Sequence, residues 1–198
     1  MIMKLFLSLL ILILSIKSWA NADDIRDFEI EGISIGDSLL DYYSEDIILK
    51  SKERGFIYPN KDFFTARLVN THGNIYDDIQ FQLKANDPNY KIYSIEGIIL
   101  YDNNIDKCKI EQKKISLEID KLFPNIKKFY DNGIIRGDPK KMSMGYEIYY
   151  MFKSGGNIVL SCYDWSEELS VSKGWLDNLK VIIDSEEFHV WLNTKAYN

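Results

Sequence analysis

What this chain has little of narrows its chemistry first. Among its 198 residues there are two cysteines, Cys108 and Cys162, and two histidines, His72 and His189. No histidine lies near a cysteine in the sequence. A cysteine nucleophile needs a thiolate with a base beside it, and nothing local supplies one. Positive charge is also scarce: 24 Lys and Arg stand against 30 Asp and Glu, a net of −6. The lysine pairs at 113–114, 127–128 and 140–141 are dispersed among acids. Binding a phosphate backbone needs clustered Lys and Arg, so the composition argues against a nucleic-acid partner. Past residue 22 no apolar run approaches the ~20 residues that a membrane-spanning helix requires.

The one long apolar run is at the start. "MIMKLFLSLLILILSIKSWANA" has Lys4 ahead of an apolar stretch from Leu5 to Ile16 and ends on Ala20-Asn21-Ala22. A short basic region, an apolar core too short to span a bilayer and an A-x-A site make a secretory signal. The reading is cleavage after Ala22, a single domain over 23–198, and a periplasmic or secreted location. An exported chain with an even cysteine count is read as a disulfide protein. A Cys108–Cys162 bond closes a loop long enough for a chain-entropy contribution of roughly 4 kcal/mol.

Hydrophobic periodicity orders the rest. Residues 23–36 alternate, with Phe28 and Ile30 against Asp27, Glu29 and Glu31, and slip one residue at Gly32; this reads as a bulged strand. Ser38 with Asp41, then Ser44 with Glu45 and Asp46, mark two helix starts before Gly55. Strands are expected at 63–69, 78–85 and 90–101, with turns at 70–74 and 86–89, as in an antiparallel meander. In the 78–85 strand Ile79, Phe81 and Leu83 point inward and Gln80, Gln82 and Lys84 outward. Residues 103–124 make the strongest helix: Asn104 caps it, Cys108, Gln112, Ile115 and Ile119 form one stripe, Glu111–Lys114 and Glu118–Lys121 pair on the wet side, and Pro124 closes it. Residues 125–143 read as loop. Residues 144–153 and 158–165 form a hairpin about "SGGN", and 179–184 a last strand. "DSEEFHVWLN" (184–193) reads as a helix with Asp184 and Glu187 as its capping box. The result is an α+β fold, an antiparallel sheet with helices packed on one face, in the order β-α-β(n)-α-β(n)-α. Cys108 on a helix and Cys162 on a strand both face apolar layers, which a helix packed on a sheet brings together.

Three stretches, "GISIGDSLLDYYSEDII" (32–48), "SIEGIILYDNNIDKC" (94–108) and "CYDW" (162–165), resemble a family of uncharacterised exported proteins of AT-rich marine bacteria. The likeness spans most of the chain after the signal. It implies export and fold, includes both cysteines in the pattern, and brings no catalytic residue with it. The Gly-x-Ser entry to the first helix is also similar to small envelope domains of the outer-membrane assembly lipoprotein type, whose lipid-bearing cysteine this chain lacks.

Several clusters have the composition of a site. Asp27, Glu29 and Glu31, if on one strand face, would stand ~6.6 Å apart, but calcium loops wrap oxygens around the ion. "DNNID" (102–106) has Lys107 and Lys113 where such a loop needs a glycine and an acid, so helix capping explains it better. Gly32 and Gly36 do not have a nucleotide-binding spacing, and Asp37 would repel phosphate. No cofactor motif is present, and no residue is assigned as catalytic or as a metal ligand. Asp164 with Glu167 and Glu168 is dense enough in carboxylates to suggest a small carbohydrate hydrolase. Tyr163, Asp164 and Trp165, at the outward side and end of the hairpin strand, suggest instead a platform for a small ligand or peptide. The leading expectation is a non-enzymatic interaction or envelope-associated domain whose partner is an envelope protein or a small ligand.

Overall fold

The computed structural model describes residues 24–69, 75–135 and 138–198. The leader with its cleavage site, and the 70–74 turn with His72, lie outside these residues. The first described elements revise the expected bulged strand. Glu29–Ile30 (β1) and Ile33–Ser34 (β2) pair antiparallel, with Ile30 opposite Ile33. Glu31 (φ 52°) and Gly32 (φ 80°) form the turn between them. Two successive positive φ values are the backbone of a tight hairpin turn whose twist matches that of its strands. The slip in alternation at Gly32 is therefore a reversal of the chain. It also separates Asp27, in a 3₁₀ turn (Ile25–Asp27), from Glu29 and from Glu31, so the three acids share no strand face.

Ser38 caps a 3₁₀ turn at Leu39–Asp41, accepting from the Leu40 N–H. Helix α1 (Glu45–Lys52) follows Ser44, whose side chain makes no capping bond. The body of the protein is a seven-stranded sheet in the order β3-β4-β5-β9-β8-β7-β6. Its strands are β3 (Phe63–Val69), β4 (Asp78–Lys84), β5 (Ile92–Leu100), β6 (Lys127–Ile134), β7 (Met144–Met151), β8 (Asn157–Asp164) and β9 (Asn178–Asp184), every neighbouring pair antiparallel. The α+β class follows directly. Strand β6 replaces part of the loop expected at 125–143. It is the edge strand beyond β7, exposed almost throughout, and without a buried face it carries no alternation to read.

Helix α2 (Ile105–Leu122) lies across one face of the sheet. Asn104 caps it by accepting from Lys107 N–H (3.0 Å), and Cys108, Gln112, Ile115, Ser116 and Ile119 are its buried stripe. Their partners are the inward residues of β8 and β9, among them Leu160, Cys162, Leu179 and Val181. Cys108 and Cys162, both fully buried, form the disulfide, with their Cα atoms 5.9 Å apart. The two expected ion pairs, Lys114–Glu111 (2.8 Å) and Lys121–Glu118 (2.7 Å), lie on the wet side of α2.

Two short helices complete the chain. Helix α3 (Glu167–Lys173) begins at Ser166 and ends at Gly174 in the left-handed region. Helix α4 (Glu186–Thr194) starts one residue later than expected, with Ser185 rather than Asp184 accepting the capping bond from Phe188 N–H (3.3 Å). Its Phe188 and Trp191 close a second, smaller core with Tyr58, Phe63 and Tyr93. Phe63 points opposite to Phe64, which belongs to the main core. The small core therefore caps one end of the sheet face that α2 leaves uncovered. Among the described residues no helix is long and apolar enough to cross a membrane.

Candidate functional site: the sheet face opposite the long helix

In an antiparallel sheet, residues directly opposite one another share a face. On the face away from α2, that rule lines up Thr65, Gln82, Ser94, Asp184 and Asn157 across β3, β4, β5, β9 and β8. All five are buried. Parallel rows hold Gln80, Glu96, Ile182, Val159 and Tyr149, then Ile98, Lys180, Ser161 and Glu147. This is a polar face, and two of its carboxylates, Glu96 and Glu147, are held by neighbours.

Two hydrogen-bonded groups organise it. In the first, Lys180 Nζ donates to Glu96 Oε2 (2.9 Å), Gln82 Nε2 donates to Glu96 Oε1 (3.2 Å), and Thr65 Oγ1 donates to Gln82 Oε1 (2.8 Å). In the second, Glu147 accepts from Ser161 Oγ (3.2 Å), from the Tyr163 hydroxyl (3.4 Å) and from the Tyr149 hydroxyl. Lys180 joins the two, its Nζ lying 5.4 Å from the centre of the Tyr163 ring. Burial, with the Glu147 charge beside them, holds both tyrosines well above the usual phenol range. They remain protonated donors. Burial, chiefly, also raises Asp184 to about 7, with the charge of Glu96 adding to it and the Ser94 hydroxyl opposing.

Of the residues singled out from the sequence, Tyr163 lies on this face and Trp165 at its rim. The Tyr163 and Trp165 rings meet edge to face at 5.8 Å, and Trp165 meets Trp175 at 4.5 Å. Trp175 is 40% exposed, so the strip reaches solvent. Asp164, at the last position of β8, stands opposite Met144 and acts electrostatically on Asp177. The Asp177 carboxyl is raised first by burial and further by Asp164, while the amides of Trp165 and Ile105 lower it. Asp177 Oδ1 accepts from Trp165 N–H at 3.0 Å, and its carbonyl accepts from Tyr101 N–H at 2.8 Å, so it ties the end of β8 to the chain just after β5.

The other acids of that stretch have a local account. Glu167 and Glu168 occupy the first turn of α3, where negative charge complements the helix dipole. Glu168 also pairs with Lys140 (2.6 Å) across the surface. Asp138 anchors the adjoining loop by accepting from Lys140, Met142 and Ser143 N–H groups and from the Ser143 hydroxyl. Those bonds, led by the hydroxyl, lower it to about 2. His189, half-buried on α4, is lowered by burial. Among the described residues no group of three or more His, Cys, Asp or Glu side chains could hold a metal ion.

Glu147, Glu96 and Lys180 did not emerge from the sequence reading. The turn at 154–157 sets the β7–β8 register, and that register puts Glu147 opposite Ser161, so Glu147 was within reach of sequence reasoning. Glu96 and Lys180 are 84 positions apart, and only the β5–β9 pairing brings them together. On the α2 side, a shallow groove of about 320 Å³ is lined by Lys109, Gln112, Tyr130 and Tyr146 among others. Its floor is closed where Gln112 Nε2 donates to the carbonyls of Tyr146 (2.7 Å) and Leu160 (2.8 Å).

No protein-family model, no curated protein and no solved structure matches this chain.

Proposed function

We propose that the protein is a non-enzymatic interaction domain that works outside the cytoplasm and meets its partner at the end of β8. The observation that carries this reading is the aromatic strip Tyr163–Trp165–Trp175, which emerges to solvent beside the Glu147 and Lys180–Glu96 groups. Aromatic side chains offer large contact area at low entropic cost, and with a polar handle nearby they bind faces that are part apolar and part hydrogen-bonding. An envelope protein segment or a small ligand with that character fits. The N-terminal signal pattern and the disulfide support export, because structural disulfides persist in oxidising compartments. Carbohydrate hydrolysis through Asp164 and Glu167 or Glu168 is the less supported reading, since the two glutamates begin α3.

The test is crosslinking in intact cells followed by affinity capture. Wild type is compared with a Tyr163→Ala/Trp165→Ala variant whose melting temperature is checked first. A partner captured by wild type and lost from the folded variant supports the proposal. Equal capture by both, or polysaccharide turnover that falls with Asp164→Ala alone, overturns it.

A further inference from the structure

The two edges of the large sheet are treated differently. At β3 the outward-turned Thr65 carbonyl is met by the chain after α1: a Cβ built on Gly55 would fall 1.9 Å from that oxygen. At the other end β6 is the last strand of the sheet. An open edge is a template for pairing unless charge, proline or a covering segment blocks it. Here it carries exposed apolar side chains: Phe129 is 43%, Tyr130 68% and Ile134 51% exposed.

The backbone phase of this edge follows from one bond. Ile135 N–H donates to Ser143 O (3.0 Å), continuing the β6–β7 register. In an antiparallel pair, alternate residues turn their peptide groups to alternate sides. Odd-numbered residues of β6 therefore serve β7, and Lys128, Tyr130, Asn132 and Ile134 turn their N–H and C=O groups outward.

We propose that β6 pairs antiparallel with β6 of a second copy about a two-fold axis at Phe129, joining two sheets into one. In that register Lys128 of each copy exchanges backbone bonds with Tyr130 of the other, using the outward groups. Phe129 meets its own counterpart as a non-hydrogen-bonded pair, the kind whose side chains lie closest. Lys127 of each copy then stands opposite Asp131 of the other, on the same face as Phe129. The segment "KKFYD" (127–131) is thus self-complementary in charge: two opposite-charge pairs flank an aromatic pair, and both interactions favour strand pairing.

The neighbouring symmetric registers lack this match. An axis at Lys128 opposes two lysines, an axis at Asp131 opposes two aspartates, and an axis at Tyr130 sets Asp131 against Phe129. Lys127 and Asp131 are both exposed, so the charges can be exchanged without touching the core. Phe129 lies opposite Tyr149, beside Glu147 and its hydroxyl donors. The pairing therefore runs the polar faces of two copies together across the axis.

The experiment uses sedimentation equilibrium on the full chain purified with its disulfide formed. Wild type is expected to be largely dimeric at about 0.1 mM protein. Lys127→Glu and Asp131→Lys each set like charges opposite one another and should weaken association by about tenfold or more. An equimolar mixture of the two single variants restores both opposite-charge pairs and should associate like wild type. The cysteines of the wild type are both in the disulfide, so Phe129→Cys adds one free thiol, which air oxidation should convert to a covalent dimer. A monomeric wild type, single variants that dimerise as tightly as wild type, a mixture no tighter than its components, or no crosslink at position 129 overturns the proposal.

Discussion

Asp184, the last residue of β9, faces Asn157, the first of β8, on adjacent inner strands of the sheet, and both are buried. Among the described residues, Asp184 Oδ1 and both polar atoms of the Asn157 side chain have no hydrogen-bond partner. A carboxyl in such a place keeps its proton because ionising it there would strand a charge away from water.

That proton makes stability depend on pH. Asp184 titrates at about 7 when folded, against an ordinary 3.8, so the folded state binds the proton more tightly than the unfolded state. Its contribution is fully present below the unfolded value and is lost as pH rises through about 7. Asp184→Asn keeps the shape and removes the ionisation. Wild type should lose stability between pH 5 and 8 by an amount on the order of a few kcal/mol relative to the variant. Urea midpoints for both proteins at the two pH values check it; parallel pH profiles would refute it.

Reducing the disulfide should weaken the joint between α2 and β8. Cys108 and Cys162 lie 54 positions apart, and releasing a native crosslink over such a loop costs about 2–5 kcal/mol. A Cys108→Ala/Cys162→Ala variant should melt lower than the oxidised wild type. Its melting point should not respond to reductant, whereas that of wild type falls. Equal melting of oxidised and reduced wild type would contradict this.

Tyr76 lies over Gly97 in the middle of β5. A Cβ built there would meet the Tyr76 ring at 2.4 Å, and Tyr76 is 2% exposed, so the ring has little room to move. Gly97→Ala should destabilise by about 1–3 kcal/mol through overpacking. Gly97→Ala combined with Tyr76→Leu should be less destabilised than the sum of the two single changes, since the smaller side chain relieves the clash. Denaturant melts of the four proteins in this cycle measure the coupling.

At the surface, Tyr163→Ala/Trp165→Ala should lose a partner that wild type captures, and mixing Lys127→Glu with Asp131→Lys should restore the association that each alone weakens.

Local pattern by itself determined much of this protein. Alternation placed β4, β5 and the β7–β8 hairpin. The i, i+3, i+4 stripe placed α2, and Asn104 and Pro124 marked its ends, because each signal comes from neighbours in the chain. It also turned Cys108 and Cys162 toward apolar layers, the condition for their bond. Elements with no buried face escaped that reading. Strand β6 is exposed and contains the turn-like "DNG", and α3 has no buried residue, although Ser166, Glu167 and Gly174 are the cap signals that could have revealed it.

What only the tertiary structure decided is the character of the open face. Gln82 was read as outward from its period, yet it is 1% exposed. On that side of the sheet Tyr58 packs with Phe63, Tyr93 and the Phe188 and Trp191 rings of α4, close enough to Glu96 and Asp184 that, after burial itself, their charges raise its hydroxyl. Alternation tells which way a side chain points. Whether water or protein waits there depends on segments far away in the sequence, and here that difference made a polar row into a buried one.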